Sequence, residues 1–128
     1  MRGRWFAPLL ERPVGTTLFV RKEFPDAVFS VEKQVVKPHK ITRHISFKLD
    51  GKRIVRALAE VDPAKTKPAI LDLLREGKLP IGEIVKKYNV SRTRLRSTTR
   101  TREFHFVGDM HARIWERFYV ISPTPKAK

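Results

Sequence analysis

The chain has no cysteine. Disulfide staples, thiolate metal sites and cysteine nucleophiles are therefore excluded, and the absence fits a reducing compartment. Glycine is sparse, with 6 residues in 128, and none of them builds a phosphate-cradling loop; no nucleophile motif is present either. His39, His44, His105 and His111 do not fall at zinc-ligand spacing, so they are read as solvated or hydrogen-bonding side chains. No metal or other cofactor is expected. The opening Met1–Ala7 is basic but lacks the apolar run of a signal peptide, and no stretch approaches transmembrane length. A cytoplasmic protein with no membrane partner is the expectation.

Acidic residues are scarce as well: 13 Asp and Glu stand against 28 Lys and Arg, a net charge of +15. A folded domain carrying that excess repels itself, which points to a polyanionic partner. At 128 residues and 41% apolar content the chain can bury one core. The reading is a single domain over residues 1–122 followed by a short basic tail, 123–128, released by Pro123 and Pro125.

β-Branched and aromatic residues suggest strands at Val14–Arg21 and Val28–Val36, separated by a Pro25-Asp26 turn. A clearer alternation follows, with Ile41, Arg43, Ile45, Phe47 and Leu49 on one face, the Asp50-Gly51 hairpin signal, and a return strand carrying Val55, Ala57, Ala59 and Val61. Helical spacing takes over between Thr66, a candidate N-cap, and Gly77, then in a short helix from Pro80 to Asn89. From Ser91 the chain reads as β again, with a turn at Val107-Gly108-Asp109 and a last strand over Met110–Ile121. Strands, two helices, then strands with hairpin connections indicate an α+β fold, an antiparallel sheet with two helices packed against it.

Two charged residues sit on apolar faces. Arg43 shares its face with Ile41 and Ile45, and Glu116 shares one with Met110, Ala112, Ile114, Phe118 and Val120. A buried charge needs a partner or a purpose, and Arg against Glu is the natural match. The runs Thr42–Gly51, Leu79–Val85 and Ile114–Phe118 resemble the chorismate pyruvate-lyase superfamily, which includes the small-molecule-sensing domain of bacterial transcription regulators. The similarity spans about Thr16 to Pro123. It implies a chorismate lyase-like fold in which Arg43 grips a carboxylate of the substrate, Glu116 completes a buried pocket and Ile81-Gly82 lines it. The segment after the second helix is shorter than in the lyases, so one pocket wall is expected to be missing.

Between Ser91 and Phe106 lies the densest cationic run. If the chain is regularly extended, Arg92, Arg94, Arg96, Arg100 and Arg102 project to one side as a phosphate-binding stripe, widened by Lys86, Lys87, Arg113 and Arg117. A rival reading makes Ile81–Tyr88 and Ser91–Arg102 a helix-turn-helix, but its recognition helix would have only Leu95 as a large apolar anchor. Trp5, Phe6, Trp115 and Tyr119 are candidates for base stacking or for packing. Two functions follow. The preferred one is binding of nucleic acid, above all structured RNA in a ribonucleoprotein such as the ribosome; the other is a chorismate pyruvate-lyase-like enzyme acting through Arg43 and Glu116 on a small anionic ligand in a residual pocket.

Overall fold

The computed structural model describes residues 3–12 and 14–121, so the tail at 123–128 lies outside the described residues. Six strands, β1 (Val28–Lys37), β2 (Lys40–Leu49), β3 (Lys52–Val61), β4 (Val90–Ser97), β5 (Thr101–Gly108) and β6 (Ala112–Phe118), form one antiparallel sheet in the order β1-β2-β3-β6-β5-β4. Four helices pack on it: α1 (Ala7–Glu11), α2 (Thr16–Glu23), α3 (Pro68–Glu76) and α4 (Ile81–Ile84), the last continued by a 3-10 turn at Val85–Lys87. The fold is α+β with an antiparallel sheet, as expected, but four helices among the described residues replace the two expected.

Local signals explain much of this. Asp50 and Gly51 both adopt positive φ, 53° and 78°, which gives the β2–β3 hairpin its tight primed turn. Gly77 closes α3 in the left-handed conformation, and Pro80 precedes α4. Ile70, Leu71 and Leu74 of α3 then bury against Ile41, Ala59, Val61 and Met110, forming one apolar cluster together with Ile84, Phe104 and Phe106.

Several expectations are corrected. Val14–Arg21 is not a strand: Gly15 precedes α2, whose Thr16 and Val20 sit one turn apart and bury on the sheet, with Phe24 a turn further on. Tertiary packing of that face overrides the β preference of its Thr and Val residues. With Trp5, Phe6, Leu9 and Leu10 they build a second apolar cluster over Phe47, Ile54, Val55 and Phe118. Trp5 and Phe6 are therefore packing residues. Thr66 does not cap α3; Lys67 precedes the helix, and the Thr66 hydroxyl donates to Asp62 O at 2.7 Å and accepts from His111 N at 3.2 Å. Asn89 does not adopt positive φ, and the final strand stops at Phe118, leaving Val120 exposed. Ser91–Arg102 contains β4, a turn and the start of β5 rather than a helix, which removes the helix-turn-helix.

The turn between β5 and β6 depends on glycine. Gly108 has φ 105°, and a Cβ there would lie 2.3 Å from Asn89 O. Gly108→Ala is expected to cost about 2–3 kcal/mol, read as a lowered urea midpoint with an unchanged m-value.

Candidate ligand cavity and the arginine segment

The two apolar clusters do not merge across the middle of the sheet. Residues of both line a small, half-enclosed cavity of about 50 Å³. Its floor is low because Ala57 and Ala59 of β3 face inward between larger neighbours, and Pro80, Ile81 and Gly82 at the start of α4 form part of its rim. Phe104 and Phe106 of β5 and Arg92 of β4 line another side of it. The short segment after α4 folds back as a hairpin.

Arg43 and Glu116 both line this cavity, but they do not pair with each other. β3 separates their strands: Arg43 registers with Ala59, and Glu116 with Ala57 on one side and Arg102 on the other. Glu116 accordingly binds Arg102, with Nε to Oε1 at 2.6 Å, and accepts the Thr16 hydroxyl at 2.7 Å on Oε2. Arg102 is 1% exposed and also donates to Leu9 O, Arg12 O, Val14 O and Thr16 Oγ1. Five acceptors thus surround a group with five N–H donors.

Arg43, likewise 1% exposed, has no carboxylate partner among the described residues. Nε donates to Gln34 Oε1 at 2.8 Å, Nη1 to Leu79 O at 2.6 Å and Nη2 to Leu74 O at 3.0 Å. Gln34 in turn donates to Leu74 O, so the guanidinium is fixed by β1 and by the C-terminal end of α3. Desolvation pulls its pKa down to about 10.

Arg92 is the second guanidinium lining the cavity, Arg102 lying behind Glu116. It lies over Phe104 and Phe106, 5.5 and 4.9 Å from their ring centroids, and its buried Nε has no hydrogen-bond partner among the described residues. Burial lowers its pKa, and the nearby Arg102 charge lowers it further. Against three guanidinium groups stands one carboxylate, leaving two positive charges uncompensated in and around an otherwise largely apolar chamber.

The five arginines of the segment therefore form no common stripe. A bulge between Thr93 and Arg96 shifts the register of β4, and Arg94 at the bulge has φ 57°. Leu95 turns into the core and the Ser97 hydroxyl reaches inward to Leu10 O at 2.8 Å, while Arg94 and Arg96 stay exposed and share an outer depression with His105 and Arg113. Arg92 and Arg102 face the interior; Arg100 is exposed in the β4–β5 turn. Arg113 and Arg117 lie on the outer face, but Lys86 and Lys87 belong to the helical layer on the other side of the sheet. Thr16 and Thr17 were missed as site residues, and Arg102, expected on the phosphate-binding stripe, is instead buried against Glu116. For Arg102 the signal was present, since Arg102, Phe104 and Phe106 alternate on one strand face; for the threonines it was hidden by reading α2 as a strand.

No protein-family model matches the chain, and no curated protein matches it.

Glu116→Ala leaves Arg102 buried without its counter-charge and is expected to cost on the order of 3–5 kcal/mol. Arg102→Met should cost at least as much, because three backbone carbonyls lose their donor with it. In a denaturation double-mutant cycle the combined variant should lose less than the sum of the two.

Proposed function

We propose that the cavity takes a small dicarboxylate built on one ring and that the protein is a chorismate pyruvate-lyase, with the chorismate lyase-like fold its sequence resembles. The observation that carries this reading is the pair of uncompensated cations, Arg43 and Arg92, at a cavity lined largely by apolar side chains. Buried charge of one sign is costly without a counter-ion, and chorismate is a dianion whose ring fits between aromatic walls.

In the reaction the ether C–O bond of the enolpyruvyl group breaks and the adjacent ring carbon loses its proton, so the ring becomes aromatic as 4-hydroxybenzoate. The departing enolpyruvate takes a proton on its methylene carbon and becomes pyruvate. Atoms and charge balance without a cofactor. Aromatisation supplies the driving force, and the protein's task is to orient the ring, exclude water and stabilise negative charge developing on the leaving oxygen. Arg43, already rigid through Gln34, Leu74 O and Leu79 O, holds the ring carboxylate. Arg92, with its free Nε, takes the enolpyruvyl carboxylate. Glu116 and Thr16, locked by Arg102, shape the chamber around the ring.

Arg92 offers a diagnostic variant because nothing in the protein depends on it for a hydrogen bond from Nε. Arg92→Met should reduce release of 4-hydroxybenzoate and pyruvate from chorismate by at least a hundredfold, while the empty protein melts at the same temperature or higher. A parent protein without turnover, or a variant that retains it, contradicts the assignment. The product 4-hydroxybenzoate should also raise the parent's melting temperature, by an amount that grows with the logarithm of its concentration above Kd.

A further inference from the structure

The face of the sheet turned away from the helices is cationic and has an aromatic centre. Arg56 of β3, Arg113 and Arg117 of β6 and the bulged Arg94 and Arg96 of β4 are all exposed on it. Arg56 and Arg117 are direct cross-strand partners, an arrangement of like charges that destabilises a sheet unless an anion bridges them. Neither forms an ion pair among the described residues, nor do Arg94 and Arg96. The carboxylates described on this face are already engaged, Glu32 by Arg53 at 2.7 Å, Glu60 by Lys40 at 3.6 Å and Glu103 by Arg113 at 3.0 Å. Trp115 stands between Arg113 and Arg117 on the same strand, paired across it with Leu58, and is half-buried.

We propose that this outer face binds single-stranded RNA, with a base stacked on Trp115 and phosphates on Arg56, Arg117 and Arg94. A broad sheet surface cannot enter a duplex groove, whereas a strand with splayed bases can lie across it, its bases on the aromatic ring and its backbone on the flanking guanidiniums. The outward hydroxyls of Thr42 and Thr93 add partners for the ribose 2′-OH, which DNA lacks. A second copy of the chain is disfavoured as occupant, because two such faces would confront arginine with arginine. The left-handed Arg94 supports a built surface: the bulge places both Arg94 and Arg96 outward, where regular alternation would have turned them in. This site is separate from the cavity and does not depend on the reaction assigned to it.

Only two tryptophans are present, and Trp5 is buried, so fluorescence quenching reads Trp115. The full chain is titrated with a mixed-sequence single-stranded RNA of about twenty nucleotides, the same sequence as DNA, the RNA duplex, heparin and anionic phosphatidylserine vesicles. Quenching by the single-stranded RNA is expected, with affinity falling roughly twentyfold between 50 and 200 mM salt if about three phosphates are contacted. Arg56→Gln with Arg117→Gln should reduce affinity and flatten the salt slope by about two contacts. Trp115→Ala, followed by fluorescence anisotropy of labelled RNA, should weaken binding at least fivefold with the slope unchanged, and Trp115→Tyr should restore most of it. Arg43→Met should leave RNA binding intact, which separates this site from the cavity. The proposal is overturned if RNA produces no quenching, if duplex, DNA, heparin or vesicles bind as tightly as single-stranded RNA, or if the protein sediments as a dimer with Trp115 already protected from acrylamide.

Discussion

Arg102 holds together parts of the chain that are far apart in sequence. Its guanidinium lies at the inner face of β5 and reaches Glu116 on β6 and the carbonyls of Leu9, Arg12 and Val14, together with the Thr16 hydroxyl. Those last four belong to α1, to α2 and to the described residues between them. A buried cation of this kind is tolerable only when every N–H is satisfied, so the position of the N-terminal segment is dictated by the donor geometry of one side chain. Once that segment is fixed, Thr16 and Thr17 face the cavity, Val20 and Phe24 cover Phe47 and Val55, and Trp5 reaches Tyr119 O at 2.9 Å. The wall of the chamber and half of the core follow from the same ion.

The division of charge between the two faces of the sheet rests on a different local feature. Without the bulge at Arg94, β4 would send Arg92, Arg94 and Arg96 to one side, and the chamber would hold two more cations than it does. The displaced residue leaves one arginine of β4 inside, against Phe104 and Phe106, and puts two outside. The net charge of +15 is therefore not one surface property. Part of it is held inside, at Arg43, Arg92 and Arg102, and part lies on the outer face of the sheet.

The antiparallel sheet, the Asp50-Gly51 hairpin, α3 with its Gly77 stop and the inward placement of Arg43 and Glu116 were legible in the sequence, because each depends on periodicity or on one residue's φ preference. What was not legible depends on contacts across the chain. Thr16, Thr17 and Val20 favour strands locally and become helical only because their face packs on the sheet. The partner of Glu116 is set by strand order, since Arg102 is its register neighbour and Arg43 is two strands away. Alternation counts residues correctly only until a bulge adds one, and the substitution of outward for inward at Arg94 followed from that single slip.

The cations left without a counter-ion at Arg43 and Arg92 also give the protein an unusual thermal profile. What opposes their burial is the loss of hydration, and hydration of charged groups weakens on heating because it carries a strongly negative entropy. The burial of these cations thus weighs on the fold most at low temperature and least when hot. Relative to the same scaffold with an apolar centre, the stability curve is depressed mainly on its cold limb, and its maximum moves to higher temperature.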